Sequence, residues 1–324
     1  MIPDVSVSVV THNNEGCADA LIRDLQTQEG VAWEVFVFDN ASSDTTRDIL
    51  CRSGSVSVFE CAENLGYSKG HNRNIRQSTG RYVLLLNPDV RFSPGMMSGL
   101  VGYLDRHPDV ALAGPRILEG GDRRHFAPRR FYPGEGMVAL EPGLRRSAIA
   151  WLNGCCILAR RSTLCELGGF DEDYFLYQGE TDLCLRARRL GFTLGWVPEV
   201  VVHHIHRQSQ RDISDYEYSR RLFEGSAVFW RKHYAPADML GMAQFQMGSS
   251  RLLSLAGQAL DRVSRRPPEL NPERLRARRD VCRELIASNP PDGKATGAVA
   301  RIALRQVRLA AESIRQGRFP LDDY

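Results

Sequence analysis

Hydrophobic residues in the first ninety positions fall into short strand-like runs separated by stretches of helical spacing. Val5-Ser-Val-Ser-Val-Val10 predicts a strand ending at Thr11-His12-Asn13-Asn14, and Val31–Phe38 predicts a second ending at Asp39-Asn40-Ala-Ser-Ser-Asp44. Between them, apolar or small residues at 18, 21, 22 and 25 mark one face of a helix within Cys17–Gln28. Thr45–Cys51 predicts another helix, begun by the Ser/Asp cluster. A short strand at Val56–Glu60 leads to a polar segment, a helix through Ile75, and then Tyr82-Val-Leu-Leu-Leu86. That last run is too short for a helix, and its unbroken apolar character predicts a strand covered on both faces. Pro88 takes the chain out of the ladder, Asn87 before it must be extended, and Asp89 is carried past the strand end.

Strands alternating with helices imply right-handed crossovers and a largely parallel, Rossmann-like α/β sheet flanked by helices. Thr11/Asn13, Asp39/Asn40 and Asn87/Asp89 then share the carboxyl rim of that sheet, where open α/β sheets bind ligands. Each cluster alone reads equally well as a capping turn. Neither the dinucleotide fingerprint nor the Walker loop is present.

The second half is less regular. A helix (Met96–His107) and a strand (Val110–Ala113) precede a Gly-, Pro- and Arg-rich segment at 119–148, expected to be a long surface loop. Order resumes with a predicted strand over Ala150–Leu158 that includes Trp151, Asn153 and Gly154. Leu183, Ala187 and Leu190 share a helical face, which puts Glu180 and Asp182 at or just before a helix N-terminus, where carboxylates also serve to meet the helix dipole. Phe192–Val202 predicts a strand pair ending in His203-His204-Ile-His206, residues that read as surface or as metal ligands.

Composition is that of a globular protein, with 43% hydrophobic and 25% charged residues in 324. The eight cysteines include no CxxC pair and no zinc spacing; with no signal peptide, this predicts reduced thiols in a cytoplasm. No apolar stretch reaches the roughly 18–20 residues needed to span a bilayer. Charge is unevenly placed. From Arg251 onward there are fifteen Lys/Arg against nine Asp/Glu, a net +6, which leaves −3 for the first 250 residues of a chain at +3 overall. The basic part is expected to meet an anionic surface, and the acidic body argues against nucleic-acid binding.

The motifs together resemble an inverting GT-A glycosyltransferase of family 2. They are Thr11-x-Asn13, Asp39-Asn40-Ala-Ser-Ser-Asp44, Glu63-Asn64-x-Gly66-Tyr-x-x-Gly70-x-Asn72, Leu86-Asn87-Pro88-Asp89, Trp151-Leu-x-Gly154, Gly169-Phe-Asp-Glu172, Asp182-Leu-Cys-x-Arg186 and Pro198-x-Val-x-Val-x-His204. The resemblance covers about residues 3–235 and is greatest to bacterial dTDP-rhamnosyltransferases. It implies a GT-A domain at 1–235 with a basic helical extension at 236–324, a nucleotide-diphosphate sugar donor (dTDP-rhamnose or a UDP-sugar), and a glycan or lipid-linked acceptor. It also implies Mg2+ or Mn2+ held by Asp89, with His204 as a further ligand or pyrophosphate partner. Thr11, Asn13, Asp39, Asn40, Asn64, Lys69, Asn72 and Asn87 would line the donor site, and Trp151, Asn153 and Gly154 the sugar or acceptor side.

One departure from the family pattern falls at the base. Where the family carries Glu-Asp, this chain has Gly179-Glu180, so Glu180 stands in the base position and the preceding acid is lost. Asp182, the other carboxylate in the motif, is the second catalytic candidate. The alternative is a nucleotide-sugar-binding module with weak or lost catalysis. In the extension, Pro-rich breaks at 265–272 and 288–293 divide about three helices, the last with an Arg301/Arg305/Arg308/Arg315 stripe and Val299, Ala303, Val307, Ala310 and Ile314 on another face. Such a helix suits the inner face of an anionic plasma membrane, and equally its own domain or a second subunit of a homodimer.

Overall fold

A computed structural model describes residues 2–119, 124–140, 149–205, 213–260, 270–290 and 295–315. Two compact units emerge, residues 1–131 with 144–212, and 132–143 with 213–324.

The first unit is built on one sheet. Its strands are β1 (Val5–Thr11), β2 (Trp33–Asp39), β3 (Ser57–Glu60), β4 (Tyr82–Leu86), β5 (Val90–Phe92), β6 (Val110–Glu119), β7 (Arg124–Phe126), β8 (Cys156–Arg160) and β9 (Thr193–His204). Their order is β3-β2-β1-β4-β8-β6-β9-β5, with β7 beside β6. The β3-β2-β1-β4 half is parallel, as the alternating pattern requires. Beyond β4 the sheet is mixed, since β8 runs antiparallel to both β4 and β6 while β6 and β9 are parallel.

Side-chain alternation sets the two faces. Val5, Val7 and Val9 of β1 with Leu84 and Leu86 of β4 pack under α1 (Glu15–Gln26) and α4 (Met96–Arg106). Val83 and Leu85 face the other way, under α5 (Arg161–Leu167) and α6 (Gly179–Arg189). All five residues of β4 are buried, so the apolar run is covered on both faces. The intervening Ser6 and Ser8 point to the side of α3 (Tyr67–Gln77). There Ser6 Oγ accepts from the Gly80 amide at 2.9 Å and Ser8 Oγ meets His71 Nδ1 at 2.7 Å. That imidazole is fully buried and its pKa falls to about 3 because burial disfavours the cation.

Two expectations need correction. The predicted strand over Ala150–Leu158 pairs in a ladder only from Cys156, because Asn153 folds into a turn that accepts the Cys155 amide at 3.0 Å. Trp151 is left with an isolated bridge to Arg129. The expected strand pair at Phe192–Val202 is one strand, β9, whose register against β6 slips between Val197 and Val201, around a proline that cannot donate to a ladder.

The second unit contains α7 (Asp215–His233), α8 (Pro236–Leu260), α9 (Pro272–Ser288) and α10 (Ala295–Arg315), of which the last three, among the described residues, lie beyond residue 235. Asn271 caps α9 by accepting from Glu273 N and Arg274 N. Ala298 and Ile302 of α10 are buried against Gly241 of α8, whereas Leu304 and Val307 stay exposed. The sequence places Val307 on the apolar face; burial instead selects 298 and 302. The Pro-rich breaks fall partly on 261–269 and 291–294, outside the described residues, as do His206 and the side chains of Arg308, Ala310, Ile314 and Arg315. Among the described residues no helix is long and apolar enough to cross a membrane.

Candidate active site

Parallel register brings the polar strand ends together. Thr11 pairs with Asp39 across β1 and β2, and Val9 pairs with Leu86 at the end of β4. Asp39 is buried and accepts from Thr11 Oγ1 at 3.0 Å, Ser42 Oγ at 2.6 Å and Ser42 N at 3.1 Å. A carboxylate has about four acceptor positions, so one remains. Asn13, in the left-handed region at φ 54, accepts from Ser43 N at 2.8 Å and fixes the loop after β2 against the loop after β1. Asp44 joins the starts of α1 and of α2 (Thr46–Arg52), accepting from Glu15 N at 3.1 Å and Thr46 N at 3.0 Å.

The loop before α3 is shaped from within. Asn40 donates to Asn64 Oδ1 at 2.8 Å and to the Gly66 carbonyl at 3.2 Å, and accepts from Leu65 N at 2.7 Å. Gly66 sits at φ 86, ψ 176, which only glycine adopts readily, and a Cβ there would run into the Phe175 carbonyl. Asn72 is buried and braces α3 to the segment before α6, accepting from Phe170 N at 2.8 Å and donating to Phe170 O at 2.9 Å and Glu172 Oε1 at 3.0 Å. Lys69, in the first turn of α3, is half-buried and makes no ion pair with a described residue. The structure thus commits Asn40, Asn64 and Asn72 to holding loops, while Lys69 and the side-chain amide of Asn87 are left without a described partner.

At the end of β4, the Asn87 amide donates to Cys155 O at 2.9 Å and its carbonyl accepts from Val90 N at 3.3 Å, turning the chain toward β5. Val90 pairs with His204, which sets Asp89 beside that histidine. His204 Nε2 lies 3.3 Å from Asp89 Oδ1, and its Nδ1 lies 2.9 Å from Glu119 Oε1. Burial alone would lower the imidazole pKa; the two carboxylates outweigh it and raise it to about 9. Glu119, at the end of β6, was not marked by any motif. Its only sequence signal is position, a carboxylate ending an apolar strand whose parallel neighbour ends in histidine. His203, by contrast, is exposed.

Glu180 opens α6. Its side chain packs on Gly154, where an added Cβ would lie 3.2 Å from Glu180 Cγ, and Tyr67 Oη, which donates to Gly154 O at 2.7 Å, closes the same corner. Burial raises the Glu180 carboxyl to about 7 against hydrogen bonds that favour its ionised form. At Gly179 a Cβ would come within 2.6 Å of Ser68 Oγ, so a larger residue there requires the Ser68 hydroxyl to turn away. Asp182 is buried and held by Arg186, Nε to Oδ2 2.7 Å, while the same guanidinium donates to Leu167 O and Gly169 O. Trp151 is anchored through Nε1 to Phe131 O at 2.9 Å. Among the described residues no three His, Cys, Asp or Glu side chains form a metal cluster.

The Glycosyl transferase family 2 model matches residues 6–168, half of the chain and all of the parallel β3-β2-β1-β4 rim. The protein is a family 2 glycosyltransferase. Among curated relatives, the chain is 31% identical over 214 residues to an N-acetylglucosaminyl-diphospho-decaprenol L-rhamnosyltransferase of Mycobacterium tuberculosis, covering 55% of this chain and 68% of that one. It is 24% identical over 229 residues to Rhamnosyltransferase WbbL of Escherichia coli, covering 64% and 85%. Among solved structures, S. aureus TarS 1–349 superposes with a TM-score of 0.54 at 17% identity, over 97% of this chain and 92% of that one. A mannosyltransferase from Pyrobaculum calidifontis, solved with GDP-Man and Mn2+, gives 0.51 at 20% identity, over 96% and 76%. The glycosyltransferase is thus most like rhamnosyltransferases, and its fold is that of the GT-A structures.

The raised Glu180 pKa carries a stability consequence. Below about pH 4.5 the group is protonated whether the chain is folded or not; ionisation then works against the fold as pH rises, and the loss is complete above about 7. Glu180→Gln should therefore melt higher than the native protein at pH 8, with the gap closing at pH 4. Thermal melts at the two pH values check this, and an equal gap at both would contradict it.

Proposed function

We propose that this glycosyltransferase moves a sugar from a nucleotide-diphosphate donor to a hydroxyl of a glycan or lipid-linked acceptor, with inversion, by a single displacement. The observation that carries the reading is the placement of Glu180 in the first turn of α6, packed on Gly154 beside Tyr67; burial there raises its carboxyl toward the range a general base at physiological pH requires. The acceptor oxygen bonds to the anomeric carbon, the bond from that carbon to the diphosphate breaks, and the hydroxyl proton passes to Glu180. Asp182, clasped by Arg186, holds the start of α6 in place. The remaining acceptor position of Asp39 meets the edge of the base, with Thr11 and Asn13 fixing the loops around it. Lys69 and Asn87 face the donor phosphates and ribose. Trp151, Asn153 and Gly154 border the sugar on the Glu180 side.

Asp89 and His204 suit a divalent ion. One buried carboxylate and one imidazole, 3.3 Å apart on neighbouring chain segments, would hold such an ion. When bound, Mg2+ or Mn2+ neutralises charge on the departing diphosphate. The Mn2+ complex of the mannosyltransferase supports this choice. The rhamnosyltransferase relatives support rhamnose as the sugar, carried by dTDP, with a UDP-sugar as the alternative donor, and the decaprenol-linked substrate in one relative's name supports a lipid-linked acceptor.

Two outcomes test this reading. Asp89→Ala should abolish nucleoside-diphosphate release from the donor and remove stabilisation by donor plus metal, with the unliganded fold intact. Glu180→Gln should cut turnover by about 10²–10⁴ with donor affinity nearly unchanged, and Glu180→Asp should retain activity. Full activity in EDTA would remove the metal, and full activity in Glu180→Gln would remove the base.

The second unit supports docking to an anionic membrane, because α10 exposes Leu304 and Val307 next to Arg301 and Arg305 in a segment of net +6. Co-sedimentation with phosphatidylglycerol liposomes should fall as salt rises and disappear on truncation near residue 245. If truncation instead turns a dimer into monomers with liposome binding unchanged, the extension is a dimerisation element.

A further inference from the structure

We propose that Glu119 is a positioning residue that orients His204 and assigns its Nε2 to the divalent ion, an inference that rests on the metal reading of Asp89 and His204 above. Three strands converge on this point. β6 ends in Glu119, β9 ends in His204, and β5 begins one residue after Asp89. The registers put Glu119 opposite His204 and His204 opposite Val90, so the three side chains are brought together by the sheet itself. All three are nearly removed from solvent, with Asp89 at 5%, Glu119 at 7% and the His204 side chain at 9% exposure.

An imidazole binds a metal through one nitrogen only if the ring proton sits on the other. Glu119 Oε1, 2.9 Å from Nδ1, holds that proton at Nδ1 and points Nε2 toward Asp89. A buried carboxylate does this better than water, because it accepts only and fixes the ring plane. Ligating histidines bonded in this way to an outer carboxylate are more basic and better oriented. Without Glu119, the ring can turn about its Cβ–Cγ bond and place its proton on Nε2, against the ion. A purely structural role for Glu119, tying β6 to β9, would cost stability on substitution and leave the identity of the metal-bound atoms unchanged.

The test is Mn2+ binding to the full-length protein, followed by loss of the free Mn2+ EPR signal, together with electron spin echo modulation on protein labelled with 15N-histidine. The native protein should bind Mn2+ and show a directly bound 15N that is lost in His204→Ala. Glu119→Ala should weaken Mn2+ binding by about 10- to 100-fold and diminish the 15N coupling. Glu119→Gln keeps an acceptor oxygen at the same reach and should restore the coupling, which separates orientation from loss of folding. If Glu119→Ala binds Mn2+ with native affinity and native coupling, the assignment is overturned while the metal reading stands. If Glu119→Gln is folded and still lacks the coupling, the orienting role of the acceptor oxygen is overturned. If the native protein binds Mn2+ with no 15N coupling, His204 is no ligand and the assignment falls. If the native protein binds no Mn2+ at all, the metal reading itself fails and Glu119 goes with it.

Discussion

The burial of β4 on both faces is the constraint on which the rest of the site depends. With Tyr82–Leu86 fully enclosed, the chain can place polar groups only beyond its end. Asn87-Pro88-Asp89 therefore has to emerge at the rim, where β1 and β2 end in Thr11 and Asp39. Pro88 prevents the strand from running on, and the next residues cross to the far edge as β5, paired with β9. That crossing delivers Asp89 to His204. A polar substitution within β4 would not only open the core; it would release the geometry of the rim.

Burial also sets the electrostatics, with opposite results at two places. Glu180 is pushed to about 7 because its surroundings, Gly154 and Tyr67 among them, solvate the carboxylate poorly. His204 is held at about 9 because two carboxylates overcome the same penalty. The first arrangement leaves a group ready to take a proton near neutral pH. The second fixes the imidazole between Asp89 and Glu119, where β5, β6 and β9 meet. Both groups belong to the first unit, His204 at the end of β9 and Glu180 in the first turn of α6.

Much of this was legible in the sequence because the relevant signals are local. The apolar run of β4, the break at Pro88, the polar strand ends and the placement of Glu180 at a helix start all follow from residues within a few positions of each other. What was not legible depends on pairing between distant segments. Glu119 ends an apolar strand before a Gly- and Pro-rich stretch, and nothing nearby announces that residue 204 will lie opposite. Asn72 looks like a ligand in sequence, yet its amide is used to brace Phe170 and Glu172, about a hundred residues away. Gly179 reads as lost chemistry, and its closeness to Ser68, far away in the chain, is not visible from its neighbours. Trp151 falls outside the ladder because Asn153 prefers a turn to a strand, a competition that hydrophobic pattern alone cannot register.

The most direct test of the account is a crystal structure with a nucleoside diphosphate and Mn2+, read by anomalous scattering. The expected result is one Mn2+ peak at the bound diphosphate, within about 2.0–2.6 Å of an Asp89 oxygen and beside His204 Nε2, with Glu180 lining the open side where the sugar would sit. A diphosphate bound away from Asp89, or Mn2+ held elsewhere with Asp89 and His204 still bonded to each other, would contradict it.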